Sequence, residues 1–254
     1  MAHTLKKEKN YSYIEAGEGT PIIVLHGLMG GLSNFDAVSN FFSAKGYKII
    51  IPELPIYTRS LLKTNVKSFA KYLHDFIEFK GFDEVILLGN SLGGHIGLYF
   101  TKQYPKKVKA LIITGSSGLY ESAMGGGYTK RSDYEDIKKK AQDVFYDPAV
   151  ATKEIVDEVY HTVNDRNKLV KTLAIAKSAI RHNMAKDLPK MKTPTCIIWG
   201  KNDNVTPPEV AEEFNELLPD SELFWIDKCG HAAMMEHPDE FNAVLDAWLQ
   251  KRGF

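Results

Sequence analysis

The chain has 254 residues, of which 44% are apolar and 25% are charged, a composition typical of a soluble globular protein. It excludes a disordered or fibrous chain. The 32 basic side chains balance 32 acidic ones, so the formal net charge is zero. Because nucleic acids and anionic membranes attract clustered cationic charge, we expect neither as a partner.

The two cysteines, Cys196 and Cys229, are too few for a disulfide scaffold and lack the CxxC spacing of a zinc site. Residues 1–10 contain lysines but no apolar stretch behind them, so they do not resemble a secretion signal. We therefore expect a cytoplasmic protein. The uncharged stretch 85–101 contains four glycines and is more typical of a strand, a turn and a buried helix than of a membrane span.

Short aliphatic runs alternate with amphipathic segments along the chain, which is the βαβ pattern of a mostly parallel sheet. Strands of such a sheet are covered on both faces and therefore show continuous apolar runs. Strands are predicted at 22–25, 48–52, 85–88, 110–114, 195–199 and 223–226. Between the second and third strands, apolar residues at helical spacing predict a helix with Asn65 as its N-cap and Gly81 as its end.

This alternation breaks after Gly118, and no strand-like run follows before 195. Helical periodicity returns at 137–145 and 153–179, with a turn at 147–148 between them and the glycines 125–127 as a flexible lead-in. An insertion of this length needs structure of its own. We predict an α/β core formed by 1–118 and 189–254, with a helical cap formed by 119–188.

The segment 89–93, Gly-Asn-Ser-Leu-Gly, matches the G-x-S-x-G pattern between a buried strand and a helix that runs to about Tyr104. The sharp turn forces Ser91 into a strained backbone conformation, and only small neighbours fit around it. The following helix offers unpaired N–H groups and a positive dipole end. We predict that Ser91 is a nucleophile; an ordinary structural Gly/Ser turn is the alternative.

A serine nucleophile needs a base and a group that orients the base. His231 lies in the loop after the strand 223–226 and is the best candidate for the base. His237 precedes Pro238 at a predicted helix start, where a capping role is expected. Asp203, in the loop after the strand 195–199, is the candidate acid, and Asp227 is its weaker rival.

An oxyanion hole requires backbone N–H groups directed at the developing negative charge. We predict that one comes from Leu92, directly after the nucleophile. The second is assigned to Leu28, in the glycine-containing loop 26–31 that follows the strand 22–25. His26 begins this loop, and we expect it to hold the loop by hydrogen bonding and to take no part in proton transfer.

Together these motifs resemble the α/β-hydrolase superfamily. The chain carries HGLMGG at 26–31, GNSLGG at 89–94, WGKNDNVTPP at 199–208 and CGHAAMMEHP at 229–238, in the expected order. The resemblance covers essentially the whole chain. It implies a mostly parallel sheet with helices on both faces, a helical cap inserted before the last two strands and a Ser-His-Asp triad.

Within the superfamily, the segments 89–91, 143–148 and 165–167 resemble the meta-cleavage product hydrolases. Those enzymes cleave a carbon–carbon bond in dienoate acids, and the resemblance implies substrate-binding roles for Arg166 and Asn90. Two departures stand out. Ala232 occupies the position of the family's aromatic residue, and the loop 28–30 replaces its HGxGPG glycines. Met29 is expected to line an adaptable acyl pocket with Met124, Met234 and Met235, or these methionines simply pack.

The sequence therefore predicts a cofactor-independent serine hydrolase that acts on a small carboxylic ester or related acyl compound, with no metal. Carbon–carbon bond hydrolysis is the alternative within the same chemistry, and thioester hydrolysis, perhydrolysis and cyanohydrin cleavage use similar residues. Ser91 argues against the dehalogenase and epoxide hydrolase branches, which have aspartate there. A slow-turnover, ligand-sensing protein is the alternative from another class. The expected partner is a small-molecule substrate.

Overall fold

The computed structural model describes residues 4–120 and 130–254. In this part of the chain, eight strands form one sheet in the order β1-β2-β4-β3-β5-β6-β7-β8. Strands β1 and β2 are antiparallel to their neighbours, and all other pairs are parallel. The strands are β1 (Lys6–Glu8), β2 (Tyr11–Ala16), β3 (Thr20–Leu25), β4 (Tyr47–Pro52), β5 (Val85–Asn90), β6 (Val108–Thr114), β7 (Thr195–Gly200) and β8 (Ser221–Ile226).

Helices cover both faces of this sheet. Because successive side chains of a strand point to opposite faces, Ile23 belongs to the core cluster that includes residues of α2, α3 and α7, whereas Ile22 belongs to the cluster that includes residues of α1 and α9. The helices in the described ranges are α1 (Asp36–Ser43), α2 (Val66–Lys80), α3 (Leu92–Gln103), α4 (Tyr134–Gln142), α5 (Lys153–Asn164), α6 (Arg166–Arg181), α7 (Pro208–Leu217), α8 (Ala233–Glu236) and α9 (Pro238–Arg252). The expected fold class is confirmed.

The six predicted strands are present, whereas β1 and β2 were not predicted. Strand β1 is fully exposed and consists of charged residues, so it carries no apolar signal. In β2 only Tyr13 and Ile14 are buried, which is too short an apolar run to stand out. Strand β2 of this edge pair is joined to β4 by antiparallel backbone hydrogen bonds. Because these bonds are made by the backbone, they require no particular side chains.

Helix α2 begins and ends where its capping residues predict. The Asn65 side chain accepts a hydrogen bond from the backbone N–H of Ser68, and Gly81 ends the helix in the left-handed conformation with φ of 71°.

Helices α4, α5 and α6 occupy the connection between β6 and β7, where the cap was predicted. The helical periodicity predicted over 153–179 is divided between two helices, α5 and α6. They separate at Asp165, whose carboxylate accepts hydrogen bonds from the N–H groups of Asn167 and Lys168 and so starts α6. The predicted glycine lead-in at 125–127 lies outside the described residues. The limits 119 and 188 of the cap remain a prediction.

Hydrogen bonds join the two ends of this helical segment. The N–H of Met184 donates to the carbonyl oxygen of Gly118 at 2.8 Å, and Asn183 Nδ2 donates to the carbonyl oxygen of Leu119 at 3.1 Å. In the core beside them, His95 Nε2 lies 3.0 Å from His182 Nδ1, and His95 Nδ1 lies 3.3 Å from Ser117 Oγ. Burial, together with the neighbouring His182, lowers the pKa of His95 to about 3.

A neutral buried histidine makes stability depend on pH. Below about pH 6.5 the unfolded chain binds a proton at His95 that the folded protein does not, so stability falls as pH falls. From pH 7 to pH 5 we expect this site to lower the free energy of unfolding by about 2 kcal/mol. Urea unfolding of wild type and of His95→Gln at pH 7 and pH 5 measures this change in the free energy of unfolding. The variant should lose about 2 kcal/mol less on acidification; an identical pH dependence would contradict this assignment.

Candidate active site

Ser91 lies between β5 and α3 with φ of 54° and ψ of −119°, a backbone conformation that is strained for any residue other than glycine. Surrounding hydrogen bonds hold it there. The Ser91 N–H donates to the carbonyl oxygen of Thr114 at 3.0 Å, and the Ser91 carbonyl accepts from the N–H groups of His95 and Ser117. The turn therefore fixes the position from which the hydroxyl projects.

The turn also requires a close approach between backbones. A Cβ atom on Gly93 would overlap the carbonyl oxygen of Leu25 at the end of β3. Only glycine therefore lets α3 start this close to the sheet. The first turn of α3 in turn leaves its N–H groups without partners inside the helix, among them that of Leu92.

Asp203 and His231 form a buried pair at the ends of β7 and β8. Asp203 Oδ2 accepts a hydrogen bond from His231 Nδ1 at 2.8 Å, and the two residues are 2% and 7% exposed. Because a carboxylate only accepts hydrogen bonds, the proton of this bond belongs to Nδ1. His231 Nε2 is then the nitrogen that can act as a base.

Three further hydrogen bonds hold the Asp203 carboxylate. Oδ1 accepts from the N–H groups of Val205 at 2.8 Å and Thr206 at 2.9 Å. Oδ2 accepts from Thr206 Oγ1 at 2.9 Å. The role of Thr206 was not predicted from the sequence. Aspartate side chains often accept a hydrogen bond from the backbone N–H two residues later, so Asp203 itself was the available signal for this turn.

Gly115, which follows β6, leaves room for the imidazole. Its φ is 52°, and a Cβ atom there would lie 2.7 Å from the carbonyl oxygen of His231 and 2.8 Å from its Nδ1. Any side chain at this position would displace the histidine. Asn90 supports the same loop, because its Nδ2 donates to the carbonyl oxygens of Thr114 and His231, each at 3.1 Å.

The loop after β3 packs against the turn that holds Ser91. A Cβ atom on Gly27 would lie 3.2 Å from Ser91 Cβ. His26 fixes this loop: its Nε2 accepts from the N–H of Leu54 at 3.1 Å, so its Nδ1 carries the proton and donates to the carbonyl oxygen of Gly27 at 2.9 Å. Burial lowers the pKa of His26, which favours its neutral form.

A cavity of about 310 Å³ is lined by residues of the core loops and by residues of the segment 134–181, which contains α4, α5 and α6 and is called the cap segment below. Ser91 and His231 are both on its wall, as are Leu28 and Leu92. Most of the remaining wall is apolar, and it comes from α4, α5, α6 and the segment between α4 and α5. The apolar wall residues from these elements are Ala141, Val144, Phe145, Ile155, Val159, Leu173, Ile175, Ala176, Ala179 and Ile180.

The sequence profile described as the alpha/beta hydrolase fold matches residues 20–149 and 160–238. The chain belongs to this family. A solved alpha/beta hydrolase enzyme, MGS-MChE2, from the metagenome of sediments of the lagoon of Mar Chica, Morocco, is 64% identical to this hydrolase. The alignment covers 99% of this chain and 100% of that one, with a TM-score of 0.83.

Curated relatives of this hydrolase include two kinds of enzyme. A 2-hydroxy-6-oxononadienedioate/2-hydroxy-6-oxononatrienedioate hydrolase of Pseudomonas sp is 27% identical, over 93% of this chain and 90% of that protein. Lipase 1 of Psychrobacter immobilis is also 27% identical, over 96% of this chain and 84% of its own. The coarse prediction of a hydrolase is therefore confirmed.

The residues predicted to bind substrate in this hydrolase lie in different places. Met29 and Asn90 are on the cavity wall, although both N–H bonds of the Asn90 amide are directed at backbone carbonyls. Arg166 is exposed in the first turn of α6 and is not among the described wall residues. Of the other methionines, Met235 is on the wall, Met234 is buried in the core, and Met124 lies outside the described residues.

Two general features of this hydrolase concern metals and membranes. Within residues 4–120 and 130–254, no group of three or more histidine, cysteine, aspartate or glutamate side chains is arranged to hold a metal ion. In the same ranges, no helix has the length and apolar character needed to cross a membrane.

The Thr206 hydroxyl provides a direct test of the Asp203 environment. Thr206→Val keeps the shape of the side chain but removes the hydrogen bond to Oδ2. Bonds to a charged group contribute about 1.5 to 3 kcal/mol, so we expect both lower stability and a loss in kcat of roughly tenfold. Ester turnover and urea unfolding measure the two effects. Thr206→Ser, which keeps the hydroxyl, is the control and should stay close to wild type. Equal kcat values for Thr206→Val and Thr206→Ser would contradict the role of the Thr206 hydroxyl.

Proposed function

We propose that this hydrolase cleaves small carboxylic esters or related acyl compounds through an acyl-enzyme on Ser91. The observation that carries the proposal is the 2.8 Å hydrogen bond between His231 Nδ1 and Asp203 Oδ2, beside a cavity that Ser91 also lines. A serine hydroxyl needs such an oriented base to act as a nucleophile near neutral pH.

In the first half of the reaction, Ser91 Oγ attacks the ester carbonyl carbon while His231 Nε2 takes the hydroxyl proton. The carbonyl oxygen becomes negatively charged, and the N–H groups of Leu28 and Leu92 stabilise it. The tetrahedral intermediate then collapses, and the carbon–oxygen bond to the alcohol breaks. His231 gives its proton to the leaving alcohol, which leaves the acyl group on Ser91.

In the second half, water replaces the alcohol. His231 Nε2 takes a proton from the water as its oxygen attacks the acyl carbon, and the same N–H groups stabilise the oxyanion. The bond to Ser91 Oγ breaks, the carboxylic acid leaves, and the proton returns to Ser91. Asp203 stays ionised throughout and stabilises the imidazolium that forms in each half.

The cavity supports an apolar acyl group. Its walls from the cap segment are mostly aliphatic, with Phe145 as an aromatic member. A space of about 310 Å³ suits a small substrate. The name of one relative, Lipase 1 of Psychrobacter immobilis, supports an ester substrate.

Carbon–carbon bond hydrolysis of a dienoate is the second candidate, because the Pseudomonas relative is named for such substrates. A dienoate carboxylate needs a cationic partner. Lys177 lines the cavity and is a candidate for this partner, whereas Lys140, also on the wall, already pairs with Asp136 at 2.8 Å and the exposed Arg166 is not among the wall residues. Aryl esters of graded acyl length, measured beside a dienoate ring-cleavage product, separate the two chemistries: the proposal requires faster turnover of an ester.

Replacing the nucleophile tests the proposal most simply. Ser91→Ala should abolish labelling by a fluorophosphonate probe and nearly all ester turnover, because it removes the attacking oxygen. Circular dichroism should show an unchanged fold. Turnover that survives the substitution would refute the assignment. If the wild type releases only about one equivalent of product, the protein is a slow ligand sensor instead.

The acid of the triad has a matched control in the same chain. Asp203→Asn should lower kcat by orders of magnitude, roughly 10⁴-fold in well-studied triads, because the imidazole loses its orienting anion. Asp227→Asn makes the same chemical change at a side chain that is 70% exposed and lies 3.6 Å from Lys201. The kcat of this control variant should match that of wild type. A large loss for Asp227→Asn with Asp203→Asn near wild type would reverse the assignment.

A further inference from the structure

Glu236, at the end of the short helix α8, accepts three backbone hydrogen bonds. Oε2 accepts from the N–H of Gly230 at 2.6 Å. Oε1 accepts from the N–H groups of Tyr146 at 2.7 Å and Asp147 at 2.9 Å. One carboxylate therefore joins the loop that carries His231 to residues 144–147, which follow α4 and are called the cap turn below.

The same two segments are also in direct backbone contact. The N–H of His231 donates to the carbonyl oxygen of Val144 at 2.9 Å. A Cβ atom on Gly230 would lie 2.6 Å from that oxygen, so only glycine allows this approach. Val144 and Phe145 line the cavity. The cap turn is thus both a wall for the acyl group and a support for the histidine loop.

We propose that Glu236 is a positioning residue that fixes His231 relative to the acyl-binding wall. This inference rests on the proposed function, because His231 matters as the base of that reaction. Four hydrogen bonds link the cap turn, Glu236 and the histidine loop, and three of them end on the carboxylate. Through them, a shift of the cap turn moves the base with it.

The chemistry of the carboxylate fits this task. Three N–H donors require three acceptor positions, which an ionised carboxylate has and an amide of the same size does not. Hydrogen bonds to an ionised group are also shorter and stronger than neutral ones, in line with the 2.6 to 2.9 Å distances here. In Glu236→Gln, the amide can still accept at one oxygen, but its NH₂ group faces another donor.

Two variants and one control test the proposal in the full chain. Glu236→Gln keeps the length of the side chain but replaces one acceptor oxygen with an NH₂ group. Glu236→Asp keeps the carboxylate charge but shortens the side chain. For both we expect kcat for an aryl ester to fall about ten- to a hundredfold. KM should change by less than about threefold, because the cavity wall remains. Glu240→Gln removes a charge from an exposed position four residues later and should behave as wild type.

The rate of Ser91 labelling by the fluorophosphonate probe separates positioning from mere stability. Rates are taken per folded enzyme, determined by active-site titration at a temperature below each variant's unfolding transition. A positioning role predicts that labelling slows by the same factor as kcat in both variants. If Glu236→Gln and Glu236→Asp lower the unfolding temperature but label as fast as wild type, Glu236 only stabilises the fold and the proposal is wrong.

Labelling and activity of the wild type distinguish a failure of the Glu236 proposal from a failure of the proposed function. If the wild-type chain is neither labelled at Ser91 nor active on esters, the serine mechanism itself fails. If the wild type is labelled and active while both Glu236 variants match it, the mechanism stands and only the positioning role of Glu236 is lost.

Discussion

A carboxylate removed from water must have hydrogen-bond partners to stay charged, and the site is organised around this need at Asp203. Its two oxygens accept four hydrogen bonds, from two backbone N–H groups, the Thr206 hydroxyl and the His231 imidazole. Trp199 Nε1 donates to the carbonyl oxygen of Thr206 at 2.9 Å and fastens this loop to β7. The carboxylate proposed to orient His231 is therefore fixed in place at the end of the sheet.

Ser91, the proposed nucleophile, is held by different contacts at the same sheet. The strained backbone of Ser91 is balanced by hydrogen bonds to β6 and α3 and by glycines that let the helix start close to β3. Both sets of contacts belong to the α/β core, whereas much of the cavity wall comes from the cap segment.

Local patterns predicted the parts of the fold and site that depend on neighbours in sequence. Buried strands have continuous apolar runs, α2 has both capping residues, and each residue of the proposed triad lies in the turn or loop after a strand. The edge strand β1 has no apolar residue to detect. The break at Asp165 has a local signal, since aspartate is a preferred N-cap, but the helical periodicity on both sides obscured it.

These patterns did not predict contacts that depend on how the helices and turns between β6 and β7 pack. The hydrogen bonds of Glu236 to Tyr146 and Asp147 connect residues about ninety positions apart, and neither segment has a sequence pattern that indicates them. The exposure of Arg166 likewise depends on how α6 packs, because helical periodicity alone does not say which face meets the cavity. A resemblance to a family supplied a role for Arg166, but the structure does not bring the residue to the cavity.

The central claim is that catalysis passes through an ester bond between the substrate's acyl group and Ser91. Acid quenching within milliseconds of mixing with an aryl ester, followed by mass spectrometry of the intact chain and its peptides, tests it directly. We predict a mass increase equal to the acyl group, confined to the peptide that contains Ser91 and absent after turnover is complete. Substrate turnover without any acylated chain under these conditions, or acylation at another residue, would contradict the mechanism.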